Sequence, residues 1–197
     1  MAREIDRRVI LFSLAYPVSR ASFLAGRFLA LLVLTVLAAL VLGLLLLLAV
    51  LLVGGGYVQE FDVSLGIPFW SAIAGFALDA TVVGTFALCI AALSTVSILP
   101  LALGAAFAVA GKALGATIDY LARGADGDEE VLASYDPLVG FVRWLLPDLS
   151  RLDWREWAMY QLAPDAGVVF WSVAMAVGYI GLLLAAASLL FARREFS

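Results

Sequence analysis

Hydrophobic residues in this chain come in blocks. Long, largely apolar runs extend from about Phe28 to Val53, Phe69 to Leu93, Val96 to Ile118 and Gly167 to Phe191, and only the middle two contain charge. Within each block they follow neither a strict period of two nor a one-sided period of 3.6, so they face lipid or other buried helices all round. At about 1.5 Å per residue the first run exceeds a hydrocarbon core of about 30 Å and must tilt or protrude. The pattern predicts an all-α, polytopic membrane protein with four transmembrane helices. The first run also begins too far into the chain, and is too long, for the core of a cleaved signal peptide.

The stretches between the runs carry the polar residues. The chain divides into an N-terminal segment (1–27), a three-span region (28–123), a loop (124–164) and a last span with its tail (165–197), all one membrane domain. In the loop, Val131 to Leu162 mixes Leu138, Phe141, Val142, Leu145, Leu149, Leu152 and Trp157 with regularly placed charges. That pattern predicts short amphipathic helices on the membrane surface, punctuated by Pro137, Pro147 and Pro164.

Arginine placement orients the spans. Arg3, Arg7, Arg8, Arg20 and Arg27 precede the first span and Arg193 and Arg194 follow the last, whereas Gly54 to Pro68 holds no basic residue. Both termini are therefore expected on the cytoplasmic side of the cell's inner membrane, which makes the loop external. Arg123, Arg143, Arg151 and Arg155 in the loop pull the other way, but four spans put the loop opposite the termini. Tryptophan agrees: Trp70, Trp144, Trp154, Trp157 and Trp171 all fall on the side assigned as external, where indole rings favour the headgroup level.

Composition then narrows the chemistry. With 64% hydrophobic and 14% charged residues, the 197-residue chain departs far from a soluble balance. It has no histidine, which removes Ser-His triads, His-ligated metals and imidazole relays. One cysteine, Cys89, and three scattered methionines supply neither a disulfide framework nor a thiolate or thioether metal site. The net charge of -4 disfavours nucleic acid as a partner. No G-x-x-x-x-G-K-[ST] loop is present, so ATP cannot bind here in that way; Gly54-Gly55-Gly56 reads as a helix end.

Two constellations stand out. Asp79 and Lys112 lie symmetrically about a turn near Ser94 to Ser97, so on antiparallel neighbours they share a membrane depth and can form a buried ion pair. Unpaired charge at that depth costs about 2.5 to 3.5 kcal/mol, so both face protein or water. Such a pair either fixes the register of two helices or belongs to a substrate path or gate. Gly111-x-x-x-Gly115 and Ala80-x-x-x-Gly84 give the same helices small faces suited to close helix packing. The second constellation is the N-terminal segment, where Glu4, Asp6, Arg7 and Arg8 alternate with Ile5, Val9, Ile10, Phe12 and Leu14 in a mixed helix ending near Pro17. By composition alone it suits a headgroup layer or a protein surface.

Glu4-Ile5-Asp6-Arg7-Arg8, Tyr16-Pro17-Val18-Ser19-Arg20 and Gly26-Arg27-Phe28 together resemble the cytoplasmic coupling segment of type-2 ABC exporter permeases. The branch most similar is that of permeases linked to multicopper-enzyme maturation. "LLPDLSRLDW" is similar to the family's external segment before the last helix, and "LLFARREFS" to its basic tail. The resemblance implies a permease subunit, a homodimer or paired with a companion permease, driven by cytoplasmic ABC ATPase subunits that hold ATP and magnesium. It gives Glu4, Asp6, Arg7 and Arg8 polar contacts with the ATPase, Ile5, Val9 and Phe12 its apolar cleft, and Pro17 and Arg20 the turn. These permeases usually have six spans with the coupling segment between the second and third. A chain that starts at that segment with four spans implies a shortened frame, a fragment or half of a split permease. The rival expectations are a noncatalytic membrane helper and a small membrane enzyme, the latter having only Asp79 and Lys112 within its spans.

Overall fold

A computed structural model describes residues 19–53, 63–122 and 146–192, all helical or connecting. Glu4, Ile5, Asp6, Arg7, Arg8, Val9, Phe12 and Pro17 lie outside these residues, as do Gly54 to Gly56, loop positions 123–145 and the tail from 193.

The first helix, α1, runs Arg20–Val53. It starts eight residues before the expected Phe28, because no proline stands between Pro17 and Val53 and the Ser19 hydroxyl accepts from the Ser22 backbone N–H at 3.1 Å, satisfying an otherwise orphaned donor. Helix α2 runs Ile67–Leu93, with Pro68 in its first turn where the missing N–H costs nothing. At its far end Ser94 Oγ accepts from the Val96 N–H at 3.0 Å and closes the turn into α3, Leu99–Ala122. Val96 thus belongs to the turn rather than to the next helix. The last helix, α5, is Ala166–Ala192, capped by Asp165 Oδ1, which accepts from the N–H groups of Gly167 and Val168.

Among the described residues three helices are long and apolar enough to cross a membrane: Ala21–Val53, Ile67–Leu93 and Ala166–Phe191. The apolar part of α3, Leu99–Gly115, is shorter. Helix α2 sits at the centre and packs against α1, α3 and α5. Buried hydroxyls cost little there: Thr81, Thr85 and Ser172 each donate to the carbonyl four residues back.

The loop before α5 departs from expectation. Its described part forms a 3-10 turn, Leu149–Leu152, and a short helix α4, Arg155–Tyr160, stopped by Gln161 in the left-handed region at φ 57°. The 3-10 turn does not lie on the surface. Leu149 and Leu152, each 1% exposed, join Val82, Phe107, Ala176 and Ile180 in the main core. Irregular backbone can enter a bundle of spans only where protein satisfies it. Here Asp148 Oδ1 accepts from the Ser150 N–H and hydroxyl, and Trp154 Nε1 donates to the Arg151 carbonyl.

Glycine makes the room. A Cβ at Gly75 would stand 2.3 Å from the Leu152 carbonyl oxygen, one at Gly111 2.7 Å from Leu149 Cδ1, and one at Gly115 1.9 Å from Ser150 Oγ. The Gly111-x-x-x-Gly115 face therefore receives the turn rather than another helix. Gly84 does serve helix packing, its missing Cβ being 2.9 Å from Leu31 of α1.

Gly75→Ala is expected to destabilise the protein by about 1 to 3 kcal/mol, because the obstacle is backbone and the turn must back out. Gly178→Ala, where nothing lies within 4 Å, should be neutral or gain up to about 1 kcal/mol from helix propensity. Thermal unfolding of both variants in micelles separates the two; equal midpoints would refute the seating of the turn.

Candidate functional site

The turn at Ser94 makes α2 and α3 antiparallel neighbours and brings Asp79 and Lys112 face to face. Lys112 Nζ lies 2.8 Å from Asp79 Oδ2. The partners are unequally buried, with the aspartate side chain 9% exposed and the lysine 53%. One carboxylate oxygen is thus matched, while Asp79 Oδ1 is buried and has no hydrogen-bond partner. Buried acceptors in that condition are rare, since leaving one unmet costs about 1 to 3 kcal/mol or more when charged.

A cavity of about 160 Å³ opens beside the pair. Its walls come from three pieces of chain: Ala72, Phe76 and Asp79 of α2, Lys112 of α3, and Leu152, Asp153 and Arg155 of the inserted segment. The segment contributes a second ion pair, in which Arg155 Nε donates to Asp153 Oδ1 at 2.7 Å and the terminal guanidinium nitrogen meets Oδ2. The Arg155 side-chain hydrogen bonds hold the Asp153 carboxyl below its ordinary value of 3.8. Burial opposes them, and the Arg155 backbone N–H and the charges of Arg155 and Lys112 reinforce them. A third pair, Arg151 to Asp148 at 3.1 Å, braces the 3-10 turn from the rim.

A larger apolar groove of about 440 Å³ lies between α1 and α2, along Leu42, Leu46, Phe69, Ile73 and Met159. It shares Ala72, Phe76 and Arg155 with the polar cavity, so the two adjoin.

At the opposite end of the bundle the first turns of α1 are fastened to the last turns of α2 and α5. Leu24 packs with Cys89, Ala92, Ala187 and Phe191, and the Phe23 and Phe191 rings stack at 6.4 Å. Arg27 lies over the Phe23 ring at 5.2 Å. Arg20 is the first residue of α1.

Of the residues singled out in the sequence, the structure unites Asp79 with Lys112; the N-terminal set apart from Arg20 lies outside the described residues. Asp148, Ser150, Asp153 and Arg155 were not among the expected site residues. Asp148-Leu149-Ser150 after Pro147 does carry a local capping signature, but nothing in the sequence sets its depth in the bundle. Among the described residues no group of three or more Cys, Asp or Glu side chains is arranged to hold a metal ion.

A double-mutant cycle of Asp79→Asn and Lys112→Met should show a coupling of about 1 to 3 kcal/mol in unfolding free energy, and losses that simply add would refute the pair. Asp153 gives a pH test. Its folded carboxyl binds a proton less readily than the unfolded one, so its stabilisation is full above pH 3.8 and lost as pH falls through the lower folded value. Because both partners are substantially exposed, the amount is less than about 1 kcal/mol. Asp153→Asn should lower stability by that amount above pH 3.8, leave the low-pH end nearly unchanged, and so flatten the acid limb of the stability curve.

The chain matches no family model, no curated protein and no solved structure.

Proposed function

We propose that the chain is the membrane-spanning permease subunit of an ABC exporter, moving its substrate with ATP hydrolysed by separate cytoplasmic subunits. In this reading α3 also crosses the membrane, as the third of four spans, with Lys112 neutralised inside the bundle by Asp79, and four crossings return both termini to the cytoplasmic side of the inner membrane. Two such subunits, or one with a companion permease, would enclose the path.

One observation carries the reading: α1 begins at Arg20, inside the stretch that resembles a coupling segment, and its first turns are bound into the bundle. A force delivered at Ser19 enters a helix capped by that residue, then passes through Phe23 and Leu24 to Phe191, Ala187, Ala92 and Cys89. A mere topology anchor needs no such attachment. The Asp79–Lys112 pair, with its neighbouring cavity, supports a polar way station deeper in the same bundle.

Glu4 and Arg7 would then meet the ATPase through polar contacts, with Ile5, Val9 and Phe12 in its apolar cleft. Replacing both Glu4 and Arg7 with alanine should weaken copurification with the partner ATPase about tenfold, or leave hydrolysis uncoupled from flux in proteoliposomes. Association and coupling at wild-type levels would sink the proposal.

A further inference from the structure

The two adjoining cavities differ in character, and their junction defines a guest. The smaller, about 160 Å³, holds the charged side chains. The larger, about 440 Å³, is walled by Leu42, Leu46, Phe69 and Ile73 and falls within the range of about 300 to 1,000 Å³ usual for ligand pockets. Ala72 and Phe76 of α2 and Arg155 of α4 line both. A molecule that fills both must be polar at one end and apolar along the rest.

Hydrogen-bond capacity decides the kind of head. The carboxylates are turned inward or already engaged: Asp79 Oδ1 is sealed from the cavity, Asp79 Oδ2 meets Lys112, and both Asp153 oxygens accept from Arg155. The cations face outward, the Lys112 side chain being 53% and Arg155 73% exposed, against 9% for Asp79 and 34% for Asp153. Lys112 has three N–H groups and gives one, and Arg155 has five and gives two, so five donors stay open among the described residues. An acceptor-rich anion answers them, and a carboxylate does so with charge-assisted bonds to the ammonium and to the free edge of the guanidinium.

Depth separates such a guest from bulk lipid. Asp79 falls midway along the 27 residues of α2, with about 18 Å of helix between it and Ile67, so the open donors lie below the level of phospholipid headgroups. A small head on a single chain reaches that depth without dragging a glycerol and a second chain out of their layer.

We propose that the joined cavities bind a single-chain carboxylic acid, its carboxylate accepting from Lys112 Nζ and Arg155 and its hydrocarbon chain lying between α1 and α2 against Leu42, Leu46 and Ile73. Both ion pairs stay in place, because the guest uses only the donors they leave over. Its role as a substrate site rests on the transport reading; its existence rests on these residues alone.

Dodecanoate is the probe, with dodecan-1-ol and dodecylammonium keeping the chain and replacing the head by a neutral and a positive one. Equilibrium binding is measured on the full chain in phosphatidylcholine nanodiscs with no ATPase present, and empty nanodiscs report simple partition into lipid. Dodecanoate should bind saturably at one per chain, and the alcohol and the amine should compete at least about tenfold more weakly, as expected for loss of charge-assisted hydrogen bonds. Arg155 is largely exposed, so Arg155→Gln should fold normally and weaken dodecanoate about tenfold. Ala72→Leu fills the junction without touching a charge and should abolish binding. The analogues are compared on the unaltered protein, so the answer does not hang on any variant folding. The proposal fails if dodecanoate shows no saturable binding above empty discs, if either analogue competes as well as dodecanoate, or if a folded Arg155→Gln or Ala72→Leu protein binds it normally. It fails equally if phosphatidylglycerol added to the disc displaces dodecanoate, which would make the occupant a bulk lipid. With no motor protein in the assay, failure here leaves the ATPase coupling standing, and a failure to copurify leaves this binding readable.

Discussion

A carboxylate near the middle of an apolar helix constrains everything around it. Asp79 cannot face lipid, so α2 must turn that side inward, and it must find a cation, so α3 must present Lys112 at the same height. Two helices joined by a short turn have one antiparallel register that does this. Once that register is fixed, Gly75 of α2 and Gly111 and Gly115 of α3 form a shallow trough, and the 3-10 turn settles into it. Its leucines complete the core with Val82, Phe107 and Ile180. The charged pair and the glycine trough are therefore successive parts of one packing solution.

How much of this is legible in the sequence depends on how local the cause is. Helix existence follows from long apolar runs, and the Asp79–Lys112 meeting follows from symmetry about Ser94 to Ser97, because antiparallel geometry converts sequence distance directly into depth. The start of α1 is less visible, since Ala21 to Arg27 is neither apolar enough to be called a span nor broken by a proline, and Ser19 as cap decides it. The insertion of Leu149 and Leu152 is not visible at all. Their spacing suits a surface helix equally well, and only the vacant volume over three glycines, distant in sequence, draws them inward. Small-xxx-small spacing has the same ambiguity: Gly84 meets a helix, Gly111 and Gly115 meet a turn, and the spacing is silent on which.

The polarity of the bundle is arranged by end. Toward Leu93 the packing is aromatic and aliphatic, with Phe23 and Leu24, Ala92, and Ala187 and Phe191 joining three helices. Toward Ile67 the charges collect, in three ion pairs set around or above the inserted turn. Aromatic stacking of Phe86 on Phe107 at 4.2 Å, and of Phe107 on Tyr179 at 5.9 Å, ties these zones together across α2, α3 and α5. Helix α1, in contrast, shows most of its leucines outward, as suits a chain bathed in acyl tails.

The stack of Phe23 on Phe191 has a topological consequence. It joins residues near the two extremes of the described chain, which makes the string of helices a hoop. In a hoop, a displacement at one extremity cannot be taken up by peeling away alone; the helix carrying the other extremity must shift with it or the ring contact must part. The weakest clasp in that hoop would therefore determine how far a pull at the start of the chain travels before it is dissipated.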